Sequence, residues 1–345
     1  MDFGGGDEIR FERIGHAGVV TLTRPKALNA LTHGMVRALA KALVAWEADP
    51  GVALVLVKGE GRAFSAGGDI MQVYAARQAG EQPPTGFFAD EYRLNAHIRC
   101  YRKPYVAVID GIVMGGGVGI SFHGSQRVLT ENAQFAMPEV GIGFFPDVGG
   151  SHILPKLGAY GMYLALTGSR IGQGDALGSG LATHAVRAAD QAALVERLLQ
   201  GGDPDAVLRD FSAPVGRETD ASTLAAIERH FPLASLDAIV ASLAAADDDF
   251  AAGTLSTILS RSPTSLAVAF RQIRTGRGLS MEDCMRMEYR ILNRMLAGHD
   301  FYEGIRAAIV DKDRRPKWRP ARIEDLAAAD IDAYFADLGE RELVL

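Results

Sequence analysis

The chain has 345 residues, of which 48% are hydrophobic and 23% are charged, and its formal net charge is −6. This length suits one large globular domain with an appendage, or two domains. The acidic balance argues against a nucleic-acid-binding protein, because such proteins usually carry a basic patch or stripe. No run of about 18 apolar residues occurs, so a membrane-spanning helix is not expected.

The cysteine content and the first residues bear on the cellular compartment. Only two cysteines occur, Cys100 and Cys284, and no C-x-x-C pair is present. Neither a zinc site nor a disulfide framework is therefore indicated. Residues 1–12 are acidic and glycine-rich, unlike a secretory signal or an Arg-rich transit peptide. These features predict a cytoplasmic location.

The first 200 residues or so alternate strand-like and helix-like segments, which predicts an α/β fold. Val19–Thr23 is a predicted strand, and the apolar runs Val52–Val57 and Tyr105–Ile109 are predicted strands buried within a sheet. A helix is predicted after Thr32, a plausible N-cap. Apolar residues recur at helical spacing through it: Met35, Val36, Leu39, Ala40, Leu43 and Trp46.

From about residue 203 the strand-like runs disappear, and Ala, Leu and charged residues dominate. Ser262 precedes Pro263, which predicts a helix start with proline in the first helical position. Ser280 is followed three residues later by Asp283, which resembles a capping box. We therefore predict two regions: an α/β core at residues 1–202 and a helical region at residues 203–345 that packs on it.

Two glycine-rich loops follow predicted strands. The first is residues 61–69, with small residues at 65–68, and the second is residues 114–119. Small residues let the backbone approach a ligand closely. A loop that opens a helix also carries free N–H groups, which can stabilise a developing oxyanion. Glycine-rich turns between strands and helices are common in α/β proteins, so these loops alone leave function and plain structure equally open.

A third glycine-rich segment, residues 137–150, carries two carboxylates among apolar residues. These are Glu139 and Asp147. Apolar surroundings raise the pKa of a carboxylate, which suits acid–base catalysis. Taken alone, Asp147 is better explained as the cap of a helix that starts near Gly149.

Several catalytic motifs are absent. The run from Gly117 to Phe122 lacks the third glycine of a dinucleotide fingerprint, and no P-loop or H-E-x-x-H motif occurs. The segment around Ser65 has alanine where the serine-hydrolase elbow G-x-S-x-G requires its first glycine. A serine hydrolase using Ser65 or Ser121 with a histidine stays a minor alternative. Its candidate bases are His97, His123, His152 and His184.

Together, the blocks at residues 61–69, 114–119 and 137–150 resemble the crotonase (enoyl-CoA hydratase/isomerase) superfamily. The opening segment Thr23–Ala30 resembles the first coenzyme A-binding turn of that family, and the four blocks occur in the family's order. The resemblance implies a ββα superhelix with a helical C-terminal region. It implies no cofactor, since coenzyme A is part of the substrate.

Within the superfamily, the sequence resembles the 3-hydroxyisobutyryl-CoA hydrolase subfamily. Its hydratase relatives usually carry glycine where this chain has Asp147, and a catalytic glutamate where it has Gly119. Four C-terminal blocks also look like the hydrolases: residues 262–266, 287–290, 298–301 and 311–313. The resemblance therefore implies a thioester hydrolase that acts in valine breakdown.

The resemblance assigns a catalytic group. The backbone N–H groups of Ala66 and Gly116 would hold the thioester oxygen. Glu139 would activate water as a general base or attack the carbonyl to form a mixed anhydride, and the two routes stay open. Asp147 would position the water or bind a hydroxyl group of the substrate.

The resemblance also implies binding residues. Glu91 matches a substrate-contacting position of the hydrolases, and the simpler alternative, a solvated helix charge, is the less favoured interpretation. The other substrate-binding candidates are Gly67, Gly68, Asp69 and Gly116. The coenzyme A-binding candidates are Arg24, Lys26, Ala27 and Ala66, of which Arg24 and Lys26 could pair with phosphates.

The expected partner is an acyl-CoA, with no nucleic acid or membrane partner, and a homo-oligomer is left open. The main alternative function is a hydratase or isomerase of the same superfamily. A second alternative is a coenzyme A-binding module without turnover. Relatives that bind RNA exist in the superfamily, but the net charge disfavours that role.

Overall fold

A computed structural model describes every residue from Met1 to Leu345 as nine strands and sixteen α-helices, joined by turns and short 3-10 and π segments. The strands are β1 (Ile9–Ile14), β2 (Ala17–Leu22), β3 (Leu54–Gly59), β4 (Ala63–Ser65), β5 (Tyr105–Ile109), β6 (Ile112–Met114), β7 (Gln126–Leu129), β8 (Gln134–Ala136) and β9 (His184–Ala185).

The α-helices vary in length from four to seventeen residues, and no helix is both long and apolar enough to cross a membrane. They are α1 (His33–Ala48), α2 (Ile70–Gln78), α3 (Thr85–Arg99), α4 (Gly116–Gly119), α5 (Gly150–Ile153), α6 (Ala159–Thr167), α7 (Gln173–Ser179), α8 (Gln191–Gln200), α9 (Pro204–Phe211), α10 (Ala221–His230), α11 (Leu236–Ala245), α12 (Asp249–Leu259), α13 (Pro263–Gly276), α14 (Met281–Ala297), α15 (Asp300–Ile305) and α16 (Ala328–Phe335).

The chain forms two compact units, each built from separated segments. The first unit comprises Met1–Asp69, Asp90–Phe135 and Ile171–Glu218, and the second comprises Ile70–Ala89, Ala136–Arg170 and Thr219–Leu345. The structure therefore divides the chain differently from the predicted boundary at residue 202. The physical reason lies in α9, whose buried residues Val207 and Leu208 belong to the hydrophobic core of the first unit.

The first unit contains a six-stranded sheet in the order β1-β2-β3-β5-β7-β9. Strands β1 and β2 are antiparallel, and each of the following pairs is parallel. The predicted strand Tyr105–Ile109 is confirmed residue for residue, and the other two predicted strands occur with their bounds shifted by one to two residues. Leu54–Val57 of β3 are fully buried, as a central parallel strand requires.

Helices cover the sheet of the first unit. Apolar residues of β2, β3, β5 and β7 form one hydrophobic cluster with residues of α8 and α9. A Cβ on Gly18 of β2 would lie 2.5 Å from the ring of Trp46 on α1, so only glycine lets this buried ring reach the strand. The predicted N-cap of α1 is confirmed, since Thr32 Oγ1 accepts a hydrogen bond from Met35 N at 3.2 Å.

A second, three-stranded sheet, in the order β4-β6-β8, places the glycine-rich loops. Strands β4 and β6 are parallel, with Ala63 opposite Ile112. The carboxyl ends of neighbouring parallel strands lie at one edge of a sheet. The loop at residues 66–69 and the start of α4 therefore emerge side by side.

The second unit is built from helices, and residues 219–345 contain no strand. The predicted helical character of the C-terminal region is thus confirmed. Both predicted N-caps occur: Ser262 Oγ accepts from Ser265 N, and Ser280 Oγ accepts from Asp283 N, each at 3.1 Å. Proline occupies the first position of α13, where its missing N–H costs no hydrogen bond.

Candidate functional site

The two glycine-rich loops of the first unit approach each other closely. A Cβ on Gly116 would lie 3.3 Å from Gly68 N and 2.5 Å from Glu91 Oε1. A Cβ on Gly67, whose φ is +114°, would lie 3.7 Å from Gly116 N. No larger residue fits at Gly116 without displacing a buried carboxylate. The structure thus brings Gly67, Gly68, Gly116 and Glu91 together, as a shared substrate-binding role requires.

The backbone amides in these loops differ in whether they are free to bind a ligand. Ala66 N donates to Leu28 O at 2.9 Å, which contradicts the prediction that this amide holds the thioester oxygen. Gly67 O and Asp69 N both form hydrogen bonds with the backbone of Leu31. Gly68 N, between them, donates to no backbone carbonyl.

Gly116 N also donates to no backbone carbonyl, because Gly116 is the first residue of α4. The available pair of amides is therefore that of Gly68 and Gly116. The two amides can lie close together because residue 116 is a glycine, which leaves no side chain between its backbone and the Gly68 amide.

Glu91 lies on α3 and is only 1% exposed. The simpler interpretation of a solvated helix charge is therefore wrong. Burying a carboxylate is costly unless it serves a binding or structural purpose. Its position against Gly116 is consistent with the predicted substrate contact.

The first turn of the predicted coenzyme A site is organised by Asn29, a buried residue that the sequence interpretation did not single out. Asn29 Oδ1 accepts from Arg24 N, and its Nδ2 donates to Glu60 O and to Ala63 O at 2.8–2.9 Å. Asn29 also has a positive φ of 55°, which asparagine tolerates better than most residues. It thereby ties the turn to the first glycine-rich loop.

Arg24 is bound within the protein rather than held out for a phosphate. Its guanidinium pairs with Glu8 at 3.1 Å and with Asp69 at 3.0 Å. These ion pairs neutralise the charge of Arg24 and occupy the carboxylate of Asp69. They argue against the predicted coenzyme A-binding role of Arg24 and the predicted substrate-binding role of Asp69. Lys26 and Ala27 are exposed on the same turn, and Lys26 forms no ion pair.

The serine-hydrolase alternative lacks its geometry. Ser65 Oγ donates to Asn29 O at 2.9 Å, and Ser121 Oγ donates to Gly117 O at 2.6 Å. A nucleophilic serine must instead give its proton to a base such as histidine. Both hydroxyl groups are fully buried and hold backbone carbonyls, which is a structural role.

The second unit buries the carboxylates of Glu139, Asp147 and Glu288. Glu139 begins a 3-10 turn, Glu139–Ile142, and is 6% exposed, while Asp147 is 5% exposed. Burial raises the pKa of Glu139 well above the ordinary value, and the charges of Asp147 and Glu288 raise it further. Glu139 Oε2 has no hydrogen-bond partner in the protein. A buried carboxylate with a free oxygen and a raised pKa is suited to accept a proton from water.

Asp147 does not cap the helix that follows it. The N-cap of α5 is Gly149, and the side chain that accepts hydrogen bonds from the amides of this helix end is Glu288, at 2.8 Å from Gly149 N and 2.9 Å from Ser151 N. Between them, Val148 has a φ of +50°, which is strained for a β-branched residue. Strain of this kind is typical of functional sites. The alternative of a plain helix cap is thus excluded.

Glu288 is the third carboxylate, and it lies on α14 with no exposure at all. Burial raises its pKa to about 8, against hydrogen bonds from Ser151 and Gly149 that lower it. The sequence carried one signal for this residue: a lone charge on the apolar stripe of a predicted helix, between Cys284 and Leu292. No group of three or more His, Cys, Asp or Glu residues has an arrangement suited to a metal ion.

Comparison with known proteins gives concordant results at the level of the family. The model of the enoyl-CoA hydratase/isomerase family matches residues 17–335. The chain is 44% identical to 3-hydroxyisobutyryl-CoA hydrolase, mitochondrial, of Xenopus tropicalis, across 98% of this chain and 91% of that protein.

Two solved structures share the whole architecture. A carnitinyl-CoA dehydratase from Mycobacterium thermoresistibile is 41% identical, with a TM-score of 0.93, and covers 98% of this chain and 99% of its own. An enoyl-CoA hydratase from Rhodobacter sphaeroides is 37% identical, with a TM-score of 0.90, and covers 98% of this chain and 100% of its own. The predicted crotonase-like fold is confirmed.

The comparison also corrects one expectation. The similar hydrolase is named as a mitochondrial protein, which contradicts the predicted cytoplasmic location. That prediction relied on the composition of residues 1–12 and on the cysteine count, and neither feature reports directly on an organelle.

Proposed function

Because the chain belongs to the enoyl-CoA hydratase/isomerase family, we propose that it hydrolyses an acyl-CoA thioester, and that its substrate is 3-hydroxyisobutyryl-CoA. Water adds to the thioester carbonyl, the C–S bond breaks, and the products are 3-hydroxyisobutyrate and free coenzyme A. The observation that carries this proposal is Glu139, a buried carboxylate whose Oε2 has no partner within the protein.

The first unit supplies the donors for the thioester oxygen. In acyl transfer this oxygen gains negative charge, so a preorganised N–H group binds it more strongly in the transition state than in the ground state. The amides of Gly68 and Gly116 take this role, because the Ala66 amide is engaged with Leu28. Gly67 provides the close approach between the two loops.

Glu139 supplies the proton transfer. In its ionised form it takes a proton from water, and the raised pKa makes it a stronger base than an exposed glutamate. It can then return that proton to the leaving sulfur. The alternative route, attack of Glu139 on the carbonyl to form an anhydride, uses the same free oxygen. Turnover in ¹⁸O-labelled water separates the two routes, since only the anhydride, through attack of water on the Glu139 carboxyl carbon, leaves label in Glu139.

Asp147 and Glu91 account for a hydroxylated acyl group. A carboxylate oxygen can accept a hydrogen bond from a hydroxyl group of the substrate, which a plain alkyl chain cannot donate. Hence we assign Asp147 to the water or to the substrate hydroxyl, and Glu91, beside Gly116, to the acyl side of the substrate. In this proposal the reaction belongs to valine breakdown.

A hydratase is the second candidate, because two structurally similar proteins are named as a dehydratase and a hydratase. Hydration of a double bond needs one group to activate water and a second to protonate the α-carbon. Position 119, where the hydratases usually carry that second glutamate, is a buried glycine of α4. This chain therefore favours hydrolysis.

The substrate proposal is tested by thiol release across matched short acyl-CoA thioesters. We expect 3-hydroxyisobutyryl-CoA to be cleaved with a kcat/KM at least about tenfold above that of isobutyryl-CoA, which differs only by the hydroxyl group. Equal rates with both thioesters would remove Asp147 and Glu91 as hydroxyl-binding groups.

A further inference from the structure

Glu288 connects α14 to the loop that carries Asp147. Its Oε2 accepts a hydrogen bond from Gly149 N at 2.8 Å, and its Oε1 accepts from Ser151 N at 2.9 Å and from Ser151 Oγ. All these groups are buried. One carboxylate thus binds three donors in a segment that begins two residues after Asp147.

The same loop is held at its other end by α13. Gln272 Nε2 donates to Pro146 O, the residue before Asp147. A Cβ on Gly276 of α13 would lie 2.0 Å from Ser151 O, so this helix packs directly on the loop backbone. Asp147 and the strained Val148 therefore lie between two anchors, each contributed by a C-terminal helix.

Holding a loop with a fully buried carboxylate costs free energy, because the carboxylate loses its hydration. An apolar side chain would pack on α5 without the cost of removing a charge from water. The three hydrogen bonds offset that cost, and they fix Gly149 in its left-handed conformation, with φ +90°. The strain at Val148 then persists because the residues on both sides are fixed.

From this geometry, and on the basis of the proposed function, we infer that Glu288 is a positioning residue for hydrolysis, which fixes the Asp147 loop. It touches neither the substrate nor the attacking water. Its effect on catalysis passes through the position of Asp147.

Two substitutions test the three hydrogen bonds. Glu288→Gln keeps the size of the side chain but loses one acceptor oxygen. We expect kcat to fall at least about tenfold with KM unchanged, which equals the loss of one hydrogen bond of about 1.4 kcal/mol. Glu288→Asp keeps the carboxyl group but is too short for all three donors, so kcat falls again with KM unchanged.

Leu292→Ala is the matched control, since Leu292 is fully buried one turn further along α14 and has no polar group. It lowers the free energy of unfolding but leaves kcat at its wild-type value. Wild-type kcat in a folded Glu288→Gln protein would overturn the inference. So would an equal fall of kcat in Leu292→Ala.

If Glu288→Gln does not fold, Ser151→Ala decides the matter, because it removes only the hydroxyl donor. We expect a kcat reduced several-fold with KM unchanged, and wild-type kcat would overturn the inference. The wild-type enzyme distinguishes this result from failure of the proposed function. No thiol release from 3-hydroxyisobutyryl-CoA would refute the function, whereas wild-type turnover in the variants refutes only the role of Glu288.

Discussion

In the proposed mechanism, the first unit contributes backbone groups and the second unit contributes side chains. In the first, the groups offered to a ligand are the amides of Gly68 and Gly116, and the surrounding glycines provide room for them. In the second, they are the carboxylates of Glu139 and Asp147, held in an apolar interior that raises the pKa of Glu139.

This difference determines which kind of substitution can remove the functional groups of each unit. A backbone N–H donor survives every substitution of its own side chain except proline, so other substitutions remove it only when added atoms displace it. A carboxylate is lost by a change of one atom that leaves the packing intact. Steric variants therefore probe the first unit, and isosteric variants probe the second.

Glu139→Gln is the sharpest isosteric change and has the largest expected effect. We expect kcat for thiol release to fall by about 10²–10⁴-fold, because the amide cannot accept a proton from water. The affinity for free coenzyme A, measured by calorimetry, stays the same. Full turnover by this variant would remove Glu139 from the mechanism.

Gly116→Ala is the corresponding steric change. The new Cβ would lie 2.5 Å from Glu91 Oε1 and 3.3 Å from Gly68 N, so the loop must shift. We expect kcat to fall by about 10²–10³-fold, as for the loss of one oxyanion donor.

The control for Gly116→Ala is Gly253→Ala on α12, where a Cβ meets nothing within 4 Å. It leaves kcat unchanged. Wild-type activity in Gly116→Ala, with the protein folded, would show that this amide does not bind the thioester oxygen.

Asp147→Gly, which removes the carboxylate that the hydratases lack, has a smaller expected effect. We expect kcat/KM for 3-hydroxyisobutyryl-CoA to fall by about 10–100-fold, the cost of one or two hydrogen bonds to a charged group. Measurement with isobutyryl-CoA divides the two roles of Asp147. A deficit that disappears with this substrate indicates that Asp147 binds the hydroxyl group, and a deficit that persists indicates that it positions the water. An unchanged kcat/KM with both substrates would count against either role.

The pH dependence of stability gives the smallest effect. The pKa of Glu288 is raised from 4.5 to about 8 in the folded protein, so the folded state binds this proton more tightly than the unfolded state does. Its contribution to stability is fully present below about pH 4.5 and is lost as the pH rises through about 8. Urea unfolding should show wild type losing stability relative to Glu288→Gln across this range. A constant difference between the two proteins would contradict the raised pKa.

Much of the fold could be predicted because it depends on local patterns. The apolar run Tyr105–Ile109 gave a strand with the correct bounds, and Thr32, Ser262 and Ser280 each cap the expected helix. The division into units was not predictable in this way. It depends on long-range packing, such as that of Val207 and Leu208 on a sheet formed far earlier in the chain.

The site was predicted less completely than the fold, for a related reason. Whether an amide is free depends on its partner elsewhere in the chain, and the bond from Ala66 N to Leu28 O is invisible in the pattern of the loop itself. Similarly, the ion pairs of Arg24 with Glu8 and Asp69 join residues that no motif connects. Glu288 could have been suspected as a charge on an apolar helix face, but its three donors lie 137–139 residues away.

The most direct test of the hydrolase proposal is one that compares the two reactions of the family in a single preparation. Purified protein is given 3-hydroxyisobutyryl-CoA with a thiol reagent, and crotonyl-CoA with enoyl absorbance followed. The proposal predicts release of free coenzyme A from the first and no loss of absorbance from the second. Hydration of crotonyl-CoA without any thiol release from 3-hydroxyisobutyryl-CoA would contradict it.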